Sequence, residues 1–230
     1  MTLPVSSSKV SNSALVAERH AQLVKATTSL LLRQGFHKTS VRQIAASAGW
    51  QMGTLYLYID RKEDVLFLIS KAIMNELSEG LLAIAPRSTP SETLWIATDY
   101  FFSAVDRLRS EISLLYRESA SLMPDQLAEL KDSEIKERAY FARIIREGIA
   151  TGEFEAPVEP ELFAHDIIML AHMWALKGWA LFKTFPFERY KASQMELLWK
   201  ELTRGAPPAN LSQRPADPAG KQSSTGIASL

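Results

Sequence analysis

The chain has 230 residues, 26 Lys plus Arg against 26 Asp plus Glu, and a formal net charge of zero, with 47% hydrophobic and 23% charged residues. That balance excludes intrinsic disorder over most of the length and sets a prior of one or two domains. There is no cysteine, which excludes disulfides, thiolate metal sites and cysteine nucleophiles.

The opening MTLPVSSSKVSNSALV has no apolar run of signal-peptide length, and residues 1–13 are Ser-rich with little to bury, a predicted disordered segment. The most apolar window, Leu162 to Phe182, is interrupted by His165, Asp166, His172 and Lys177. It reads as a buried helix rather than a membrane span, and the expectation is a soluble, cytoplasmic protein. Pro86, Pro90, Pro124, Pro157, Pro160 and Pro186 separate windows of helical length. Inside them apolar residues step by three or four, as in Val65, Ile69, Ile73, Leu77, Leu81 and Ile84. The prediction is an all-α fold of about nine helices.

A first helix with Leu23, Val24, Leu30 and Leu31 inward stops at Gly35. Ser40 is placed to cap a short helix with Val41, Ile44, Ala45 and Ala48 inward; Gly49 ends it. A second short helix follows from about Gln51 to Leu57. Two short helices joined at a tight glycine turn and supported by a third form a helix-turn-helix, whose second helix enters the major groove.

The run GFHKTSVRQIA…AG…GTLYLYIDRKEDV, Gly35 to Val65, resembles the TetR family of bacterial repressors. The resemblance implies a DNA-binding domain over residues 14–62 and a helical ligand-binding and dimerisation domain over 63–204. Carried over position by position, it implies phosphate contact at Ser40 and base or phosphate contact at Arg42. Gln51, Met52, Gly53 and Thr54 face the groove, and Tyr56, Tyr58 and Lys62 clamp phosphates. Gln51-Met52 stands where the family often has Ser-Lys, and Trp50 where a smaller aliphatic is usual. Tyr56 and Tyr58 also read as core aromatics, and Arg42, Arg61 and Lys62 as a solvated face. Charge segregation favours the DNA reading. Residues 1–62 carry eight basic and two acidic side chains, +6, and the remaining 168 carry 18 basic and 24 acidic, −6.

Further on, LLYRESASLMP (Leu114 to Pro124) and FARIIREGIATGEF (Phe141 to Phe154) loosely resemble a TetR subgroup that senses acyl-CoA thioesters. Such a site needs an apolar tunnel and a basic mouth. Candidates for the tunnel are Trp95, Phe101, Phe102, Tyr116, Phe141, Ile145, Met169, Met173 and Trp174; for the mouth, Arg107, Arg109, Arg117 and Arg143. The same aromatics also read as core, and Arg117-Glu118 as a helix-fixing ion pair. The alternative effector is a lipophilic or drug-like small molecule. His165 and His172 lie seven apart without the carboxylate spacing of a metal site.

The last two helices, about Glu161 to Phe182 and Phe187 to Arg204, carry Trp174, Trp179, Phe182, Phe185, Phe187, Tyr190 and Trp199. One domain has trouble burying all seven. The resemblance implies that this pair, about 161–204, packs against its two-fold mate. Residues 205–230, with four prolines and three glycines, read as a disordered tail. The expected partners are double-stranded operator DNA, a second copy of the chain and a small-molecule effector, with no membrane and no cofactor. Without a nucleophile elbow, a Gly-rich phosphate loop or clustered histidines, an enzyme is disfavoured. An interaction module that binds no DNA remains the third class.

Overall fold

The computed structural model describes residues 12–155 and 158–203. These form nine α-helices with no strand among the described residues: α1 (Ser13–Gln34), α2 (Val41–Ser47), α3 (Met52–Leu55), α4 (Lys62–Leu82), α5 (Pro90–Arg107), α6 (Arg109–Glu118), α7 (Pro124–Thr151), α8 (Pro160–Lys177) and α9 (Phe187–Thr203). Among the described residues no helix is long and apolar enough to cross a membrane.

Local chemistry sets most of the helix ends. Asn12 Oδ1 accepts from the backbone N–H groups of Ala14 and Leu15, so ordered structure begins inside the segment expected to be disordered. The rest of that segment and the tail from residue 205 lie outside the described residues. Gly35, at φ 79°, takes the positive φ that closes α1. Ser40 and Gln43 form a reciprocal capping box at the start of α2. Pro90, Pro124 and Pro160 each open a helix, where a missing N–H costs nothing. The second helix of the helix-turn-helix is one turn long, Met52–Leu55, rather than reaching Leu57.

The buried apolar side chains form one cluster running from Leu23 on α1 to Leu202 on α9. The helix α4 belongs to both halves of the molecule. It packs on α1 at one end and on α5, α6 and α7 along its length. The helices α7 and α8 pack together at the centre, with α5 against both and α9 against α5 and α8. At the end of α7, Gly152 is left-handed (φ 76°) and the chain doubles back, laying the Phe154 ring on Gly148, where a Cβ would overlap it.

The aromatics of the last two helices divide. Trp174, Tyr190 and Trp199 are buried within the chain, Trp174 stacking on Tyr190 at 4.9 Å, while Trp179, Phe182 and Phe185 are exposed. Of the seven rings that one domain is expected to have trouble burying, Trp179, Phe182 and Phe185 do stay exposed, whereas Trp174, Tyr190 and Trp199 find places inside the chain. The helices α8 and α9 cross so that three of the rings fill the space between them and α5.

Candidate nucleic-acid interface and helical domain

The outer face of α2 and α3 rests on a small apolar base. Leu55 and Ile59 are fully buried beneath α3, and Ile44 and Ala45 beneath α2. Trp50, half-buried, packs at 5.5 Å on Tyr58 and lies under the Arg19 guanidinium at 5.9 Å. The indole, larger than the aliphatic expected there, thus lies between the Tyr58 ring and a cation from α1. His20 Nε2 donates to the Tyr58 carbonyl at 3.0 Å. A carbonyl can only accept, so the ring proton sits on Nε2.

Above this base Ser40, Arg42, Gln51, Met52 and Gly53 are exposed, Thr54 is half-buried, and Tyr56 is 39% exposed. Ser40 Oγ is occupied in capping Gln43 N–H at 3.2 Å. Gln51 makes no side-chain cap hydrogen bond to α3. A Cβ on Gly53 would meet nothing within 4 Å, so the α3 backbone there is open to close approach.

Two expected phosphate contacts are corrected. Tyr58 is only 6% exposed and is packed by Trp50 and His20. Lys62 donates through Nζ to the Phe36 carbonyl at 2.9 Å and lies 4.1 Å over the Phe36 ring, bracing the α1–α2 connection instead of reaching outward.

Sequence reasoning missed the groups that tie this reader to the helices behind it. Asp64 Oδ2 accepts from the N–H groups of Asp60 and Arg61, and its Oδ1 accepts from Gln126 Nε2 on α7 at 2.8 Å. Arg61 Nη1 reaches Met123 Sδ at 3.4 Å. Nearby, the buried Glu118 carboxylate pairs with Arg117 at 3.1 Å and His37 at 3.5 Å. The turn Glu118–Gln126 thus touches both the α1–α2 connection and the start of α4.

The residues expected to line one tunnel divide among several places, which corrects that expectation. Phe101 and Phe141 are fully buried and meet edge to face at 5.7 Å; the Tyr116 hydroxyl joins them through His172 Nδ1 at 2.9 Å. Trp95 packs on Trp199 at 5.4 Å. Trp174 donates from Nε1 to Asp106 at 2.7 Å, beside Arg109, at a surface hollow of about 270 Å³. Met173 and Met169 line a groove of about 700 Å³ between α8 and α9 with Leu162 and Leu197. The cause is helical rotation. One residue is about 100° of arc, so His172 faces the interior and Met173 faces away from it.

The arginines expected at a mouth are each paired: Arg107 with Glu76, Arg109 with Asp106, Arg117 with Glu118 and Arg143 with Glu147. Between α4, α6, α7 and α8 lies a polar cluster. Glu137 accepts from Ser78 Oγ at 2.9 Å, and burial pushes its carboxyl up to about 7, with Glu134 adding to the effect. Burial lowers His172 to about 4 and raises the Tyr116 phenol to about 12. His172 was weighed only as a metal ligand. Glu137 was missed, although it stands midway on the seven-step stripe Leu130, Glu137, Ile144 of α7, all three buried. Among the described residues no group of three His, Cys, Asp or Glu is placed to hold a metal ion.

Comparison with known proteins agrees with this architecture. Residues 23–69 match the family "Bacterial regulatory proteins, tetR family", and residues 87–176 match "Tetracyclin repressor-like, C-terminal domain". The HTH-type transcriptional regulator HbdR of Aromatoleum sp. (strain CIB) is 33% identical over 192 residues, 83% of each chain. Among solved structures, a tetR-family regulatory protein from Rhodococcus RHA1 superposes with a TM-score of 0.71 at 22% identity, covering 81% of this chain and 97% of that one. AibR in complex with isovaleryl coenzyme A and operator DNA gives 0.64 at 22%, covering 79% and 98%. FadR from Bacillus subtilis in complex with stearoyl-CoA gives 0.61 at 20%, also 79% and 98%. The solved structures show the fold, and the relative at one-third identity shows the lineage. The chain belongs to the TetR family, and it is a transcriptional regulator rather than an enzyme.

Proposed function

We propose that the chain is a repressor that binds a pseudo-palindromic operator as a dimer and is released by an acyl-CoA thioester. The carrying observation is that α4 is shared: its first turn is held by Gln126 of α7 through Asp64, while its body packs on the helices behind. A ligand that shifts α7 against α4 shifts the base on which α3 stands. It does so only to the extent that it binds the shifted arrangement more tightly.

Operator contact falls to the exposed set, Ser40, Arg42, Gln51, Met52, Gly53, Thr54 and Tyr56, with Lys62 and Tyr58 supporting the scaffold. The helices α8 and α9 meet their mates across the groove bearing exposed Leu162, Met173 and Leu197, which two-fold packing covers. Two recognition helices then lie about 34–36 Å apart or a multiple of it.

The thioester reading is supported by the AibR and FadR complexes and by the two segments at Leu114–Pro124 and Phe141–Phe154. Since the candidate arginines are paired, CoA binding exchanges carboxylates for phosphates on at least one of them. Thermal shift with CoA thioesters against their free acids, alongside release of the chain's own upstream DNA, tests it. Thioesters are expected to stabilise and release; equal effects from free acids favour a lipophilic effector instead.

A further inference from the structure

We infer that Glu137 and His172 select an effector whose apolar body carries a neutral hydroxyl group. This rests on the reading that an effector enters the helical domain, though not on its being a CoA thioester. Glu137 is 2% exposed and His172 4%, and Glu137 Oε2 and His172 Nε2 are each buried without a hydrogen-bond partner. Leaving such atoms unpaired is costly, and sites built around them discriminate strongly for a ligand that pairs them.

The surroundings fix what kind of group they take. Phe101 stacks on the His172 ring at 5.8 Å and meets Phe141 edge to face, so the neighbouring side chains are apolar and aromatic. Tyr116, 40% exposed, links the surface to His172 through its hydroxyl at Nδ1. When the phenol donates to Nδ1, the imidazole proton sits on Nε2 and Nε2 becomes a donor. Ser78 occupies one oxygen of Glu137, leaving Oε2 to accept or, when protonated, to donate. A hydroxyl both accepts and donates, so it satisfies either atom. A carboxylate or an ammonium would have to give up its hydration among these apolar side chains, a cost that a neutral hydroxyl largely escapes.

The test compares matched probes by titration calorimetry on the full chain: hexanoyl-CoA with 6-hydroxyhexanoyl-CoA, benzoyl-CoA with its monohydroxy isomers, and toluene with phenol as a pair without CoA. Adipoyl-CoA and 6-aminohexanoyl-CoA present an acid and an amine in place of the hydroxyl. The wild type is expected to bind the hydroxylated member of at least one pair about tenfold more tightly than its parent. Glu137→Gln and His172→Phe, which keep a side chain of similar size at each position, are expected to shrink that preference several-fold. If either variant fails to fold, Tyr116→Phe, at a half-exposed site, takes its place and is expected to narrow the preference by releasing the imidazole tautomer. Preference for phenol without any thioester binding sustains the hydroxyl inference and overturns the CoA reading. Absence of a hydroxyl preference in every pair, a stronger preference for the acid or amine, or a preference that survives the substitutions overturns the inference.

Discussion

Gln126 on α7 donates from Nε2 to Asp64 Oδ1 at 2.8 Å, while Asp64 Oδ2 holds the N–H groups of Asp60 and Arg61 at the start of α4. One buried carboxylate therefore caps a helix and fastens it to another. Gln126→Leu leaves a buried oxygen without its donor, an expected loss of about 1–3 kcal/mol. Asp64→Ala removes the cap as well and is expected to cost more. In a double-mutant cycle by denaturant unfolding, the pair is expected to couple by about 0.5–3 kcal/mol. A coupling indistinguishable from zero removes the link on which the proposed transmission depends.

Gly53 separates folding from operator binding. A side chain there meets nothing within 4 Å, and its φ is not positive, so alanine fits the free protein. Exchanging glycine for alanine in a helix is worth up to about 1 kcal/mol in stability. Gly53→Ala is expected to leave the melting temperature unchanged or raised, and to weaken operator binding by crowding the groove in gel shift. Unaltered affinity means that the α3 backbone does not approach DNA there.

The two tyrosines and two cations of the reader are expected to part company in salt titration. Arg42 is exposed, so Arg42→Ala is expected to lower the salt slope of operator binding by about one phosphate contact, roughly 0.9 in log–log units. Tyr56→Phe is expected to weaken binding with little change in stability. Tyr58→Phe, inside the scaffold, is expected to leave operator affinity alone. Lys62→Met loses the Phe36 carbonyl and ring, so its main effect is expected in thermal unfolding. A full unit of slope lost at Lys62, with no change in stability, restores it as a phosphate clamp.

These differences trace how far sequence carries. Gly35, Ser40 and the helix-opening prolines are legible because a cap or a turn is decided within a few residues. The inner stripe of α4 is legible because periodicity is local too. The fate of Lys62 depends on Phe36, 26 positions away, and that of Asp64 on Gln126, 62 away; spacing along the chain contains neither. The burial of Trp174 is not legible in the sequence because Tyr190 and Asp106, its neighbours in space, lie on other helices. The tunnel failed for the same reason. Aromatic residues sharing a composition need not share a face, and Met173 turns away from the interior that holds His172.

Glu137 and His172 give the domain opposing responses to pH. Burial holds Glu137 protonated to about 7 against an ordinary 4.5, and holds His172 neutral to about 4 against 6.5. Between about 4.5 and 6.5 the folded chain keeps the Glu137 proton that the unfolded chain has lost, so this group makes stability fall as pH rises. In that window the unfolded chain takes up a proton that His172 refuses, so that group makes stability rise with pH. In the wild type the two slopes offset one another. Glu137→Gln, with Ser78, Glu134 and Tyr116 left around it, is expected to expose the histidine: stability climbs from about pH 4 to 6.5 and then levels. His172→Phe, keeping the stack on Phe101, is expected to expose the carboxyl: stability declines from about pH 4.5 to 7 and is flat above. Urea unfolding at unit pH intervals reads both slopes directly, and variant curves parallel to the wild type contradict the burial of these two groups.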